Sequence, residues 1–166
     1  MSVKIFDLDP TVLDPVYDFD FTNLKDDGTK YQRGGMDYKR PYGWNKIALN
    51  VWNKYERRDW LWEEGDGIWV VSYHGTSKQN AEEIAKTKYD LTKGKRFAYG
   101  RGIYSSPDPL VAEVYATAFN FENKQYKVII QNKVNMEGTD EYADYDYFVT
   151  KEEKDIRPYA LLYKKV

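Results

Sequence analysis

The chain has no cysteine and a single histidine among its 166 residues. The first absence excludes disulfides, thiolate metal sites and thiol nucleophiles. Together the two argue against a zinc site, so no metal is expected. There is little net charge, −2 at neutral pH, and hence no general pull towards nucleic acid or an anionic membrane. No apolar run is long enough to span a bilayer. The opening residues Met1-Ser2-Val3-Lys4-Ile5-Phe6-Asp7 lack the apolar stretch of a secretion signal, so the expected location is intracellular, cytoplasmic by default. There is no internal repeat and no low-complexity linker.

What is present in excess is aromatic. Aromatic residues make up 17% of the chain, with 16 Tyr and 5 Trp, enough either to fill a shallow core or to line a groove for a flat ligand. Charged residues at 31% and hydrophobic residues at 42% fit one globular domain. The texture changes near the acidic turn Glu63-Glu64-Gly65-Asp66-Gly67. Residues 1–66 read as an aromatic-rich segment packed on the same domain, and 67–166 as its core. In the first part, Tyr17-Asp18-Phe19-Asp20-Phe21 alternates aromatic and acidic residues and reads as an edge strand or an extended arm. The stretch from Asn45 to Tyr55 fits either a short helix or a strand.

After the turn, Ile68 to Tyr73 is β-rich and predicts a buried strand. Thr76-Ser77-Lys78-Gln79 fits a capping box, and Ala81, Ile84 and Ala85 supply the apolar stripe of the helix it opens. Ser106-Pro107-Asp108-Pro109 opens a second helix, whose inward face is expected to carry Ala112, Tyr115, Ala116 and Phe119. Further strands are expected at Tyr126 to Ile130, Tyr145 to Thr150 and Tyr159 to Tyr163. Strands outnumber helices, which predicts an α+β domain around a split, mixed β-sheet.

Four marks stand in order along this pattern: His74-Gly75-Thr76 where a strand feeds a helix, Gly102-Ile103-Tyr104, Tyr115, and Asp146-Tyr147-Phe148-Val149. Together they resemble the catalytic domain of the poly(ADP-ribose) polymerase-like, diphtheria-toxin-like ADP-ribosyltransferases, over roughly Gly67 to the C-terminus. Asp155-Ile156-Arg157-Pro158-Tyr159 matches a group of such domains and reads as a turn into the last strand. Tyr31 to Val51 is similar to the N-terminal part of that group.

The resemblance implies the split-sheet ADP-ribosyltransferase fold with NAD⁺ as co-substrate. It implies transfer of one ADP-ribose unit to an acceptor with release of nicotinamide. It puts the catalytic roles on His74, Tyr104 and Asp146. His74 would bond the adenosine ribose, and the backbone of Gly75 the nicotinamide carboxamide. Tyr104 and Tyr115 would flank the nicotinamide ring, and Thr76 matches the hydroxyl residue after the glycine.

Two departures qualify it. The family has Glu where this chain has Asp146, so the carboxylate that steadies the developing ribosyl charge loses one methylene of reach. Glu141 lies close by as another carboxylate. Ala112 stands where some members have a serine that bonds the carboxamide, a contact Ser105 or Ser106 could replace. Arg101 and Gly94-Lys95-Arg96 read equally as phosphate contacts or solvated loops.

The acceptor is left open, a protein being favoured over nucleic acid, as is the oligomeric state. Two other readings stay beside this one: a weak or inactive NAD- or ADP-ribose-binding recognition module, and an RNA 2′-phosphotransferase, which the net charge disfavours.

Overall fold

A computed structural model describes residues 4–55, 58–61, 69–93 and 101–166. The acidic turn at 63–67, the boundary between residues 66 and 67, Ile68, Gly100 and Gly94-Lys95-Arg96 lie outside the described residues. In the N-terminal part come strands β1 (Phe19–Asp20), β2 (Gln32–Arg33), β3 (Met36–Asp37) and β4 (Asn45–Ala48). Then follow β5 (Val70–Thr76), helix α1 (Lys78–Lys86), β6 (Ile103–Ser105), helix α2 (Pro109–Glu113) and β7 (Phe119–Phe121). The chain ends in β8 (Lys124–Val134), β9 (Thr139–Tyr142), β10 (Tyr147–Thr150) and β11 (Ile156–Lys165). Several single 3-10 turns connect them. The class is α+β.

The main sheet has six strands, β1-β4-β11-β8-β5, with β7 also paired to β8. A three-stranded sheet, β6-β10-β9, stands beside it. Every strand pairing among the described residues is antiparallel, which corrects the expected mixture of directions. Short connections dictate this. The β7–β8 hairpin turns on Glu122 and Asn123, both left-handed at φ 47° and 64°, the tight turn whose twist matches two antiparallel strands. Parallel neighbours would need long crossovers.

β8 and β11 form the centre of the sheet because their apolar residues alternate to both faces. Val128, Ile130, Val134 and Leu161 face one core, which α1 covers with Ala81 and Ala85. Ile129 and Leu162 face the other, shared with Trp44, Val71, Tyr73 and Ala112. Pro158 has no N–H to donate, and the register between β11 and β8 shifts just after it.

Of the stretch Tyr17 to Phe21, expected as an edge strand or an extended arm, only Phe19–Asp20 forms a strand, β1, and Asn45 to Tyr55 resolves into β4 and turns. Both N-terminal strands belong to the main sheet, β4 pairing directly with β11. Arg157 fastens the same part of the chain: its guanidinium lies 4.4 Å from the ring centre of Tyr55, 5.1 Å from Trp60 and 4.4 Å from Trp69.

Two helix expectations are corrected. The cap of α1 is Ser77, whose side chain accepts from the Asn80 N–H, because Thr76 is still paired with Val128 in the sheet. Helix α2 ends at Glu113, so Tyr115 is not part of an inward helical face and is 58% exposed, while Phe119 belongs to β7.

Gly102 marks a close backbone approach between the two sides of the small sheet. A Cβ there would lie 2.6 Å from Val149 Cγ1 and 2.8 Å from the Thr150 carbonyl oxygen. Gly102→Ala is therefore expected to cost about 1–3 kcal/mol of stability by overpacking, read from urea unfolding midpoints.

Candidate functional site

The two sheets touch and then part. Tyr73 at the edge of β5 and Ser106 just after β6 exchange two backbone hydrogen bonds, 2.7 and 2.8 Å. Beyond them β5 and β6 diverge, and a cavity of about 320 Å³ opens in the fork. Its walls include Tyr73, His74 and Gly75 from β5 and Tyr104 from β6. Val111 and Ala112 of α2 close one side, and Tyr115 and Tyr147 the mouth.

His74 spans the fork. Its Nδ1 lies 2.5 Å from the Tyr104 carbonyl oxygen. A carbonyl can only accept, so Nδ1 carries the proton and donates it. Burial holds the His74 pKa below its ordinary value of 6.5, and the bond to Tyr104 offsets only part of that effect. The ring is therefore neutral at pH 7, with Nε2 left as an acceptor. The edge of the ring meets Tyr89 at 5.3 Å between centroids and 87° between planes. Tyr89 is itself held by its hydroxyl, which donates to Asn132 Oδ1 at 2.7 Å.

Gly75 has two reasons to lack a side chain. A Cβ would stand 1.9 Å from the Ala112 carbonyl oxygen, so glycine lets α2 lie directly on the strand. Its backbone also faces the fork. Tyr73 spends its N–H and C=O on Ser106 rather than on β8. Ladder alternation turns the N–H and C=O of Gly75 to that same side, where no backbone partner among the described residues meets them. An edge with one donor and one acceptor is what a primary carboxamide pairs with.

Tyr104 lines the cavity, and Tyr115 lies at its mouth. The Tyr115 hydroxyl hydrogen-bonds that of Tyr147 across the opening, with ring centres 6.1 Å apart. Thr76 is buried, its carbonyl accepting from the Thr117 N–H at 3.2 Å, and it does not line the cavity. Asp146 does not line it either. It is exposed, in a left-handed turn at φ 53°, one residue before Tyr147. Glu141 is exposed on β9, opposite Phe148.

Tyr147, which the sequence motif contains without a role, lines the cavity on the same side as Tyr104. The signal was strand alternation: Tyr104 pairs with Val149, so Tyr147, two residues away, shares its face. The Ser105 hydroxyl is buried without a partner in a residue that lines the cavity, whereas the Ser106 hydroxyl accepts from the Asp108 N–H at 3.0 Å. Of the two serines proposed to replace the missing contact at Ala112, only Ser105 keeps its hydroxyl uncommitted. Arg101 is exposed and does not line the cavity.

No family model and no curated protein matches the chain. Among the described residues no group of metal-ligating side chains occurs, and no helix is long and apolar enough to cross a membrane.

A pH prediction follows from His74. The unfolded chain binds its proton near pH 6.5, whereas the folded site resists it, so the stability this group contributes is full above pH 6.5 and is lost as pH falls below it. No other side chain type titrates ordinarily between pH 6.5 and about 5. The wild-type unfolding free energy is expected to fall over that window by up to about 1.4 kcal/mol per pH unit. In His74→Gln the slope should vanish. An unchanged slope would show that the imidazole is not held neutral.

Proposed function

We propose that the cavity binds the nicotinamide end of NAD⁺ and that the protein is a mono-ADP-ribosyltransferase built on the split-sheet fold of that family. The observation that carries this reading is the fork itself. A neutral His74 bridges it, the N–H and C=O of Gly75, unmet by any backbone partner among the described residues, face into it, and aromatic rings flank it. The residues fit the ligand. Gly75 pairs the carboxamide. Tyr104, Tyr115 and Tyr147 offer faces to a flat, electron-poor ring, a pairing worth about 0.5–1.5 kcal/mol for each stacked partner. The Nε2 of His74 accepts from a ribose hydroxyl.

NAD⁺ supplies a glycosidic bond to nicotinamide whose cleavage frees the ADP-ribosyl group for an acceptor. The ribose lies outside the ring slot, so its carboxylate partner belongs at the rim. Asp146, one residue before the lining residue Tyr147, is the carboxylate that would face the charge developing at the ribose. The shortness of Asp argues for single transfer rather than chain elongation.

One observation favours a second reading. Asp146 is exposed and the cavity has no acidic wall among the described residues, which suits a module that binds NAD⁺ or ADP-ribose without turnover.

The test incubates the protein with NAD⁺ and reads intact mass and free nicotinamide. A gain of one ADP-ribose, or nicotinamide release, is expected. His74→Ala and Asp146→Asn should each lower the rate by about 10²-fold or more. Binding of NAD⁺ by wild type without turnover would move the assignment to the recognition module. No binding at all would sink both readings.

A further inference from the structure

A larger concavity lies away from the aromatic cavity, on the N-terminal part of the chain. It encloses about 830 Å³ between the β2–β3 hairpin, β1, β4 and the exposed side of β11. Its charged residues are arranged unequally. The two acidic ones are already engaged by N–H groups: Asp18 Oδ1 accepts from the Ala48 N–H at 2.8 Å, and Asp14 Oδ2 from the Trp52 indole at 2.7 Å.

Two of the cations are not balanced in this way. Among the described residues Arg40 and Lys46 form no ion pair. Instead they rest on aromatic faces. Lys46 Nζ is 5.3 Å from the centre of the Tyr159 ring. The Arg40 guanidinium is 4.9 Å from that of Tyr31 and 5.1 Å from that of Phe21. Arg33 lies 5.0 Å over Tyr38, close enough to Lys46 that the two charges oppose each other.

Burial lowers the Lys46 pKa, and the nearby Asp18 carboxylate offsets only part of that loss. Cations drawn together in a partly desolvated hollow are costly unless an anion completes them. Its lining carries four cations, Arg33, Arg40, Lys46 and Lys133, against two carboxylates, while Phe19 and Trp52 give it apolar walls. Its volume falls in the usual range of small-molecule sites.

We propose that this groove is a second ligand site, for a small organic oxyanion whose charged end lies among Arg33, Arg40 and Lys46 and whose apolar body lies against Phe19 and Trp52. The site is distinct from the aromatic cavity and does not rest on the NAD⁺ reading. A phosphate ester and a carboxylate share the required chemistry, since both present oxygens to a guanidinium fork and an ammonium.

The test is isothermal titration of the full chain, at low ionic strength, with phenyl phosphate and with phenylacetate. Saturable binding of at least one is expected; the tighter of the two identifies the class. Lys46→Met should weaken it by about tenfold or more, the loss of one charge-assisted contact. Lys46→Arg should retain it. His74→Ala should leave it unchanged, which separates this groove from the aromatic cavity. Should Lys46→Met not fold by circular dichroism, Arg40→Gln serves in its place with the same expectation. Absence of saturable binding by either probe, or equal binding by wild type and the charge-removing variant, would overturn the proposal.

Discussion

The hydrogen bond from His74 Nδ1 to the Tyr104 carbonyl is the constraint on which the site depends. It is the contact that crosses the fork just where the backbone ladder between β5 and β6 stops. Among the described residues the backbone joins the two sheets at that edge through the Tyr73–Ser106 bridge. With the His74 bond, the separation of the strands is set by the width of an imidazole ring. The same bond decides the tautomer, and so decides that the remaining nitrogen is an acceptor. One contact thus fixes the width of the cavity and one element of its polarity.

The surrounding packing serves that contact. Glycine at position 75 lets α2 sit on the strand, and Ala112 is small enough to remain there. Tyr89 meets the histidine ring edge-on and is itself tied to Asn132 on β8. The polar residues Gln131 and Asn132, fully buried in the middle of a strand, belong to this support. Gln131 Nε2 lies 3.4 Å from the hydroxyls of both Tyr38 and Tyr73. Gln131 Nε2 and Asn132 Oδ1 find phenol partners, while the Gln131 side-chain carbonyl oxygen is buried without one among the described residues.

Much of this was legible in the sequence, for local reasons. Val70, Val71 and Tyr73 announce a strand, and a glycine after histidine announces a close approach. Ala81, Ile84 and Ala85 mark the covered side of α1. What was not legible depended on distant contacts. Helical spacing from Ala112 to Phe119 suggested a long helix, but β7 begins at Phe119 and the Thr117 N–H is taken by the Thr76 carbonyl. Thr76 looked like a cap, but its sheet pairing with Val128 moves the cap to Ser77. The role of Tyr147 needed the register between β10 and β6, which no single-strand pattern contains. The cationic groove was also hidden, because its residues come from elements scattered along the chain.

The position of β11 has a consequence for how the molecule is made. It is the last strand in the sequence, yet it stands inside the main sheet, between β4 and β8. A chain emerging from the ribosome presents β1 and β4 first, and these have no sheet edge to join until β11 has been synthesised. The aromatic residues around β1 and β4 therefore lack that partner while β5 to β10 are translated. Closure is long-range and late, a topology that slows folding and leaves hydrophobic surface open to association in the interval.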